Sequence, residues 1–315
     1  MGSGKTTLLS RLLAEPDMKN TAVLVNEIGE VGLDHHLLER VDETTVLLDN
    51  GCLCCTRRED LAQTLRDLLE RESRGIIPPI NRVAVETSGL ADPSPIPFTI
   101  LSDPVLRHHY EPGTVISTLD AVNARLHLRD NPESVRQISA SDAIVVTKTD
   151  LAHSGATDSL LQTVESINPH ARILANDSPQ TTSALLHRPS PESAASPPDP
   201  PTSLSPAAHD PENGVRPVSV AFDEPLDWSA FGVWLSALLY ARGEDVLRVK
   251  GLLDTSEAGP TSINGVQHVI HPPDHLDRWP QDQRNSRLTF ITRNIDHDLL
   301  LRSLRAFQPE PRKIS

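Results

Sequence analysis

Six short apolar runs constrain this chain more than any other feature. They are TAVLVN (21–26), TTVLLDN (44–50), RVAVET (82–87), TVISTLD (114–120), AIVVTKTD (143–150) and ARILAND (171–177). Apolar runs of this length between turn signals read as buried strands. Helical patterns fall between them. Leu8, Leu9, Leu12 and Leu13 recur at helical spacing through about Ala14, and Leu61, Leu65, Leu68 and Leu69 share one face of a helix over 58–73. Strands alternating with helices predict an α/β domain, a mostly parallel sheet with helices on both faces.

The pattern stops at His187. Residues 187–213 hold eight prolines among Ser, Ala and Asp, too little apolar surface to offset the entropy of ordering, and are expected to form a flexible linker. Beyond it, strands are predicted over 215–222, 246–253, 266–270 and 287–292, with helices over 227–241 and 296–306. That is a smaller α+β domain. The expected organisation is a first domain over 1–186, a linker over 187–213 and a second domain over 214–315.

Composition narrows the function. Carboxylates number 43 against 29 Lys and Arg, which argues against a general nucleic-acid or anionic-membrane surface. No apolar stretch approaches the roughly 18 residues of a membrane span, and no basic-then-apolar signal peptide is present. The three cysteines all fall in GCLCC, which is not a secreted disulfide framework. A reducing compartment, most simply the cytoplasm, is expected.

The chain opens MGSGKTTLLSRLL. Gly2, Ser3, Gly4, Lys5, Thr6 and Thr7 have the character of a phosphate-binding loop, with backbone N–H groups at a helix N-terminus wrapping phosphates. Lys5 would reach the β- and γ-phosphates, and the Thr6 hydroxyl would ligate Mg²⁺. A loop of the form G-x-x-x-x-G-K-S/T needs a first glycine that falls before Met1. In VAVETSGLADP (83–93), Glu86 ends a strand, where a carboxylate can hold Mg²⁺ or orient the attacking water; Gly89 lets the backbone approach the γ-phosphate. In VVTKTDL (145–151), Asp150 could accept from the N1–H and amine of guanine, a donor pair that adenine lacks. Lys148 would lie along the base, and Thr147 stands where asparagine is usual.

The cysteine cluster carries different chemistry. Thiolates are soft ligands suited to zinc or copper(I), and tetrahedral zinc would complete its shell with carboxylate, imidazole or water. One cluster with an incomplete shell suits a site that accepts and releases metal; buried thiols or a redox pair are the alternatives. His268, His271 and His275 in HVIHPPDH are a weaker candidate, because positions 268 and 271 face opposite ways if both lie on one strand. The HHY at 108–110 reads as surface.

GSGKTTLL, VNEIGEVGLDHHLL, LLDNGCLCC, ETSGLADP and TKTD, in this order and spacing, resemble the CobW-type P-loop GTPases, relatives of the nickel-delivery GTPases. The C-terminal GVQHVIHPPDHLDRWP and RLTFITR resemble that family's C-terminal domain. The resemblance implies a P-loop NTPase-type sheet, GTP as substrate, Mg²⁺ as cofactor, and zinc held by Cys52, Cys54 and Cys55. It also implies a nucleotide-sensitive switch over 26–36, whose Glu27, Glu30 and Asp34 are oxygen donors. Glu30 is the carboxylate expected on zinc; His35 and His36 are further donors or solvent-facing loop residues. Lys5 and Glu86 would be catalytic. Family members begin with a further strand and a full phosphate loop, so this chain is expected to be truncated at its start and, as written, to bind GTP poorly. The expected function is a GTP-hydrolysing metallochaperone that delivers zinc to a client metalloprotein recognised by the C-terminal domain. Cobalt handling in cobalamin synthesis, activation of a metal-dependent hydratase and a non-hydrolysing metal-binding remnant remain as alternatives.

Overall fold

The computed structural model describes residues 2–25, 46–48, 58–152, 155–176, 180–186, 214–279, 284–308 and 312–313. The chain divides into two compact units. One takes Met1–Arg125, Asp142–Thr157 and Arg172–Arg188; the other takes Leu126–Ser141, Asp158–Ala171 and Pro189–Ser315.

The first unit holds two three-stranded parallel sheets. In one, β1 (Thr21–Val25) lies between β2 (Val46–Leu48) and β3 (Arg82–Glu86). In the other, β5 (Ala143–Thr147) lies between β4 (Ile116–Asp120) and β6 (Arg172–Ala175). Among the described residues, β3 pairs with β1 alone and β4 with β5 alone. Alternation sorts β1 between two layers. Val23 faces Leu8, Leu12 and Leu13 of α1 (Lys5–Leu13), while Ala22 and Leu24 face Leu61, Leu65 and Leu68 of α2 (Arg58–Ser73). Burial on both faces is why β1 reads as an unbroken apolar run. The cluster under α1 also includes Ala143 and Val145 of β5, so one helix covers strands of both sheets. The helix α3 (Pro95–Ser102) and the single turn α4 (Leu106–His109) follow β3.

The helices α5 (Ala124–Asp130) and α6 (Pro132–Ala140) follow β4, α7 (Ala156–Ile167) follows β5, and α8 (Gln180–Leu186) follows β6. The second unit is built on an antiparallel sheet. Its central strands are β7 (Val215–Phe222), β8 (Val246–Leu253), β9 (Thr261–Val266) and β12 (Ser286–Arg293), and they run in the order β9-β8-β12-β7. Short strands complete it: β10 (Val269–Ile270) and β11 (Asp274–His275) on β9, and β13 (Arg312–Lys313) on β7. One face buries Val218, Val220, Phe222, Val249, Leu288 and Phe290 beneath α9 (Trp228–Arg242) and α10 (His297–Arg305). Both helices start on an aspartate that accepts from first-turn N–H groups: Asp227 from Ala230 at 3.0 Å, and Asp296 from Asp298 at 2.8 Å and Leu299 at 3.2 Å. Such caps satisfy donors that a helix start leaves open.

The single strand expected over 266–270 is corrected. Gln267 takes φ 52° and the chain reverses, so that Val269 pairs with Val266 and Ile270 with Gly265. His268 therefore sits in a hairpin turn and not on a strand with His271.

Candidate nucleotide site

Gly4 begins α1 in the left-handed region at φ 88°, and Gly2 lies at φ 75°. Backbone of this kind carries little penalty without a Cβ. A Cβ on Gly4 would also stand 3.5 Å from Thr147 Cγ2, so the loop and the end of β5 are in close approach. The first turn of α1 then presents Lys5 and Thr6. Among the described residues the Lys5 side chain makes no hydrogen bond or ion pair, leaving its ammonium available at a helix N-terminus.

Three strands meet this loop. Glu86, the last residue of β3 and 9% exposed, accepts a hydrogen bond from Thr6 Oγ1 at 2.7 Å on Oε1. Ser3 Oγ and Thr118 Oγ1 of β4 are 2.8 Å apart. Thr147, ending β5, donates from Oγ1 to the Ser3 carbonyl at 2.9 Å. Thr147 thus ties the TKTD segment to the phosphate loop through its hydroxyl. Ligand sites outside the carboxyl ends of parallel strands are the general rule for α/β sheets.

The residue after Thr147 is equally constrained. Lys148 adopts φ 57° and caps a one-turn 3₁₀ helix over Thr149–Leu151. Its Nζ donates to Asp120 Oδ2 at 2.6 Å. Burial pushes the Asp120 carboxyl up, but hydrogen bonds from Lys148, Asn123 and the Val122 N–H outweigh it and hold the group below the usual aspartate range. Asp150 is exposed, and among the described residues it makes no hydrogen bond or ion pair. Gly89 lies in the turn closed by the Ala91 N–H on the Ser88 carbonyl at 3.1 Å. Thr7 is exposed.

Glu86 and the Thr6 hydroxyl are adjacent hard oxygen donors, the type magnesium takes, so these residues fit that ion. Cys52, Cys54, Cys55, Glu27, Glu30, Asp34, His35 and His36 lie outside the described residues. Among those described, no group of three or more His, Cys, Asp or Glu could hold a metal. His268, His271 and His275 accordingly do not gather; His275 Nδ1 lies 3.2 Å from Thr261 Oγ1 and 3.6 Å from Glu257 Oε2. No helix among the described residues is long and apolar enough to cross a membrane.

Sequence reasoning missed Thr118 and Asp120. Asp120 ends β4, the same position in a strand that singled out Glu86, whereas Thr118 lies in mid-strand with no such signal.

Parallel strands that meet a Gly-Lys-Thr helix start define a P-loop nucleotide-binding protein of the α/β class. More narrowly, the chain belongs to the CobW/HypB/UreG family: residues 1–175 match the model of its nucleotide-binding domain, and residues 215–308 match the cobalamin synthesis protein cobW C-terminal domain. It is 31% identical to the zinc chaperone YjiA of Escherichia coli over 295 residues, covering 92% of this chain and 91% of that one. It is 33% identical to zinc-regulated GTPase metalloprotein activator 1 of Schizosaccharomyces pombe over 181 residues, 55% of this chain and 43% of that one. The crystal structure of Zn(II)-bound YjiA GTPase from E. coli superposes with a TM-score of 0.73 at 28% identity, covering 98% of this chain and 96% of that one.

Proposed function

We propose that this chain is a GTP-hydrolysing metallochaperone that binds zinc and passes it to a client metalloprotein. The observation that carries the reading is the meeting of three motifs far apart in sequence, through the Thr6–Glu86 and Thr147–Ser3 hydrogen bonds. Relatives named as zinc chaperones and a zinc-regulated GTPase support the choice of nucleotide and metal.

In this reading Gly2, Ser3 and Gly4 give the phosphates backbone N–H donors, and Thr7 continues the α1 N-terminus behind them. Lys5 neutralises charge developing on the γ-phosphoryl oxygens as water attacks and the bond to the β-phosphate oxygen breaks. Thr6 and Glu86 would hold magnesium, which when bound offsets charge on the phosphates. Glu86 is also placed to orient the attacking water, and Gly89 lets the backbone approach the γ-phosphate. Thr147 links base loop to phosphate loop, Lys148 lies along the base, and Asp150 accepts from guanine. Zinc is cargo, taken by Cys52, Cys54 and Cys55 with Glu30 from the switch. Because the switch responds to nucleotide, nucleotide state and zinc affinity are reciprocally coupled. The Pro-rich 187–213 segment tethers a C-terminal domain that recognises the client.

The test is a zinc titration of the full chain with GDP or a non-hydrolysable GTP analogue bound, beside GTP turnover with and without zinc. A different zinc affinity in the two states is expected. Equal affinities would remove the coupling, and absent turnover would remove the enzyme.

A further inference from the structure

Asp120 is a buried carboxylate with both oxygens engaged. Oδ2 accepts from Lys148 Nζ at 2.6 Å and Asn123 Nδ2 at 3.1 Å, and Oδ1 accepts from the Val122 N–H at 2.9 Å and the Asn123 N–H at 3.4 Å. The next residue, Ala121, donates its N–H to the Thr147 carbonyl at 2.9 Å. The exits of β4 and β5 are therefore joined by backbone, and beside that joint by a charge-assisted pair.

The other end of this pair is unusual. Lys148 stands in the left-handed region, where a side chain costs roughly 1–2 kcal/mol. Two residues on, within the turn closed by the Leu151 N–H on the Lys148 carbonyl at 3.1 Å, lies the exposed carboxylate of Asp150. An ammonium on a flexible four-carbon stem takes whichever carboxylate is at hand. Held by Asp120, it leaves Asp150 open; released, it has an acidic neighbour in its own turn.

We propose that Asp120 is a specificity-determining positioning residue, which by holding the Lys148 ammonium keeps the Asp150 carboxylate free to accept the paired donors of guanine. The proposal rests on the reading of Thr147–Asp150 as the base loop. It explains why a carboxylate is buried at a strand end where a neutral cap would serve the turn, and it assigns Lys148 a charge that is neutralised before any nucleotide arrives.

The experiment is binding of GDP and ADP to the full chain, as wild type, Asp120→Asn and Asp120→Glu. Asparagine keeps an oxygen for the turn, while its amide turned toward Lys148 sets a donor against a donor. Wild type is expected to favour GDP by about 100-fold or more, as sites built on a polar pair do. Asp120→Asn should lose about tenfold of that preference by weakening GDP with ADP little changed, and Asp120→Glu, which keeps a carboxylate for the ammonium, should hold it to within about threefold. A purely structural Asp120 would weaken GDP and ADP together and leave their ratio unchanged. An Asp120→Asn protein with wild-type preference, or an Asp120→Glu protein that discriminates no better than Asp120→Asn, would overturn the proposal. If Asp120→Asn does not fold, Asp120→Ser, which caps the turn with a hydroxyl and leaves Lys148 unheld, decides in its place: wild-type guanine preference in it overturns the assignment. Wild type without preference between GDP and ADP would instead remove the base-loop reading, and the proposal with it.

Discussion

Lys148 and Arg248 are both restrained cations, and they are restrained for opposite ends. Lys148 stands at a strand end, with its side chain 37% exposed, two residues before Asp150, whose carboxylate has no partner among the described residues. Arg248 is 1% exposed on the second face of the antiparallel sheet. There its Nη1 donates to the Ala140 carbonyl at 2.5 Å and its Nη2 to Asn264 Oδ1 at 3.3 Å. Asn168, fully buried, donates from Nδ2 to the carbonyls of Ile138, Ser139 and Ser141 at 2.8, 3.3 and 2.9 Å. Two side chains thus reach four successive carbonyls at the C-terminus of α6, where a helix end leaves groups without intrahelical partners. Polar groups in the first region leave capacity for a ligand; those in the second spend theirs on backbone. Substitution should affect nucleotide chemistry in the first and stability in the second.

The largest expected effect would break that contrast if absent. Lys5→Ala should lower GTP turnover about 1,000-fold, in line with loss of a transition-state charge contact, while leaving the thermal midpoint near wild type. A stability loss comparable to that expected of Arg248→Met would mean Lys5 has a structural role. Next, Arg248→Met should destabilise the second unit by about 3 kcal/mol, as does removal of one partner from a buried charged contact. Nucleotide affinity should change less than threefold, and denaturant melts beside GDP binding read both. Asn168→Ala removes three hydrogen bonds at once and is expected to cost about 2 kcal/mol; a neutral result would mean water replaces the amide without penalty.

His170 sharpens the comparison through pH. Burial, then the nearby Lys250 and Arg248 charges, lower its pKa from 6.5 to about 3. The unfolded chain therefore binds a proton that the folded one refuses. The stability that His170 contributes is present above pH 6.5 and is lost as pH falls toward 3, at up to about 1.4 kcal/mol per pH unit. His170→Gln should flatten the melt-versus-pH curve between pH 6 and pH 4, above the range where Asp120 gains its proton. The smallest effect belongs to the exposed His275–Glu257 pair: Glu257→Gln should shift stability by less than about 0.5 kcal/mol, as surface pairs do.

Much of the fold was legible from apolar runs. Arg58–Ser73, Val215–Phe222 and Val246–Leu253 fall at their expected limits, because a strand or helix with one continuous apolar face carries its own period. Pro95–Ser102 was not legible. Its prolines look like loop, yet the first turn of a helix has N–H groups without intrahelical partners and tolerates Pro95 and Pro97. The hairpin at Gln267 escaped for a related reason, since no glycine or asparagine marks its left-handed residue.

The sequence alone determined the motifs: a Gly-Lys-Thr helix start, a glutamate ending one apolar run and a Thr-Lys-Thr-Asp ending another. Local chemistry writes such features in consecutive residues. That Thr6 meets Glu86, that Thr147 reaches Ser3 and that Asp120 holds Lys148 was decided by tertiary structure, because parallel strands bring together residues that lie 28 to 144 positions apart. Which carboxylate takes an ammonium and which stays open is a matter of distance and burial, and neither is encoded in spacing along the chain.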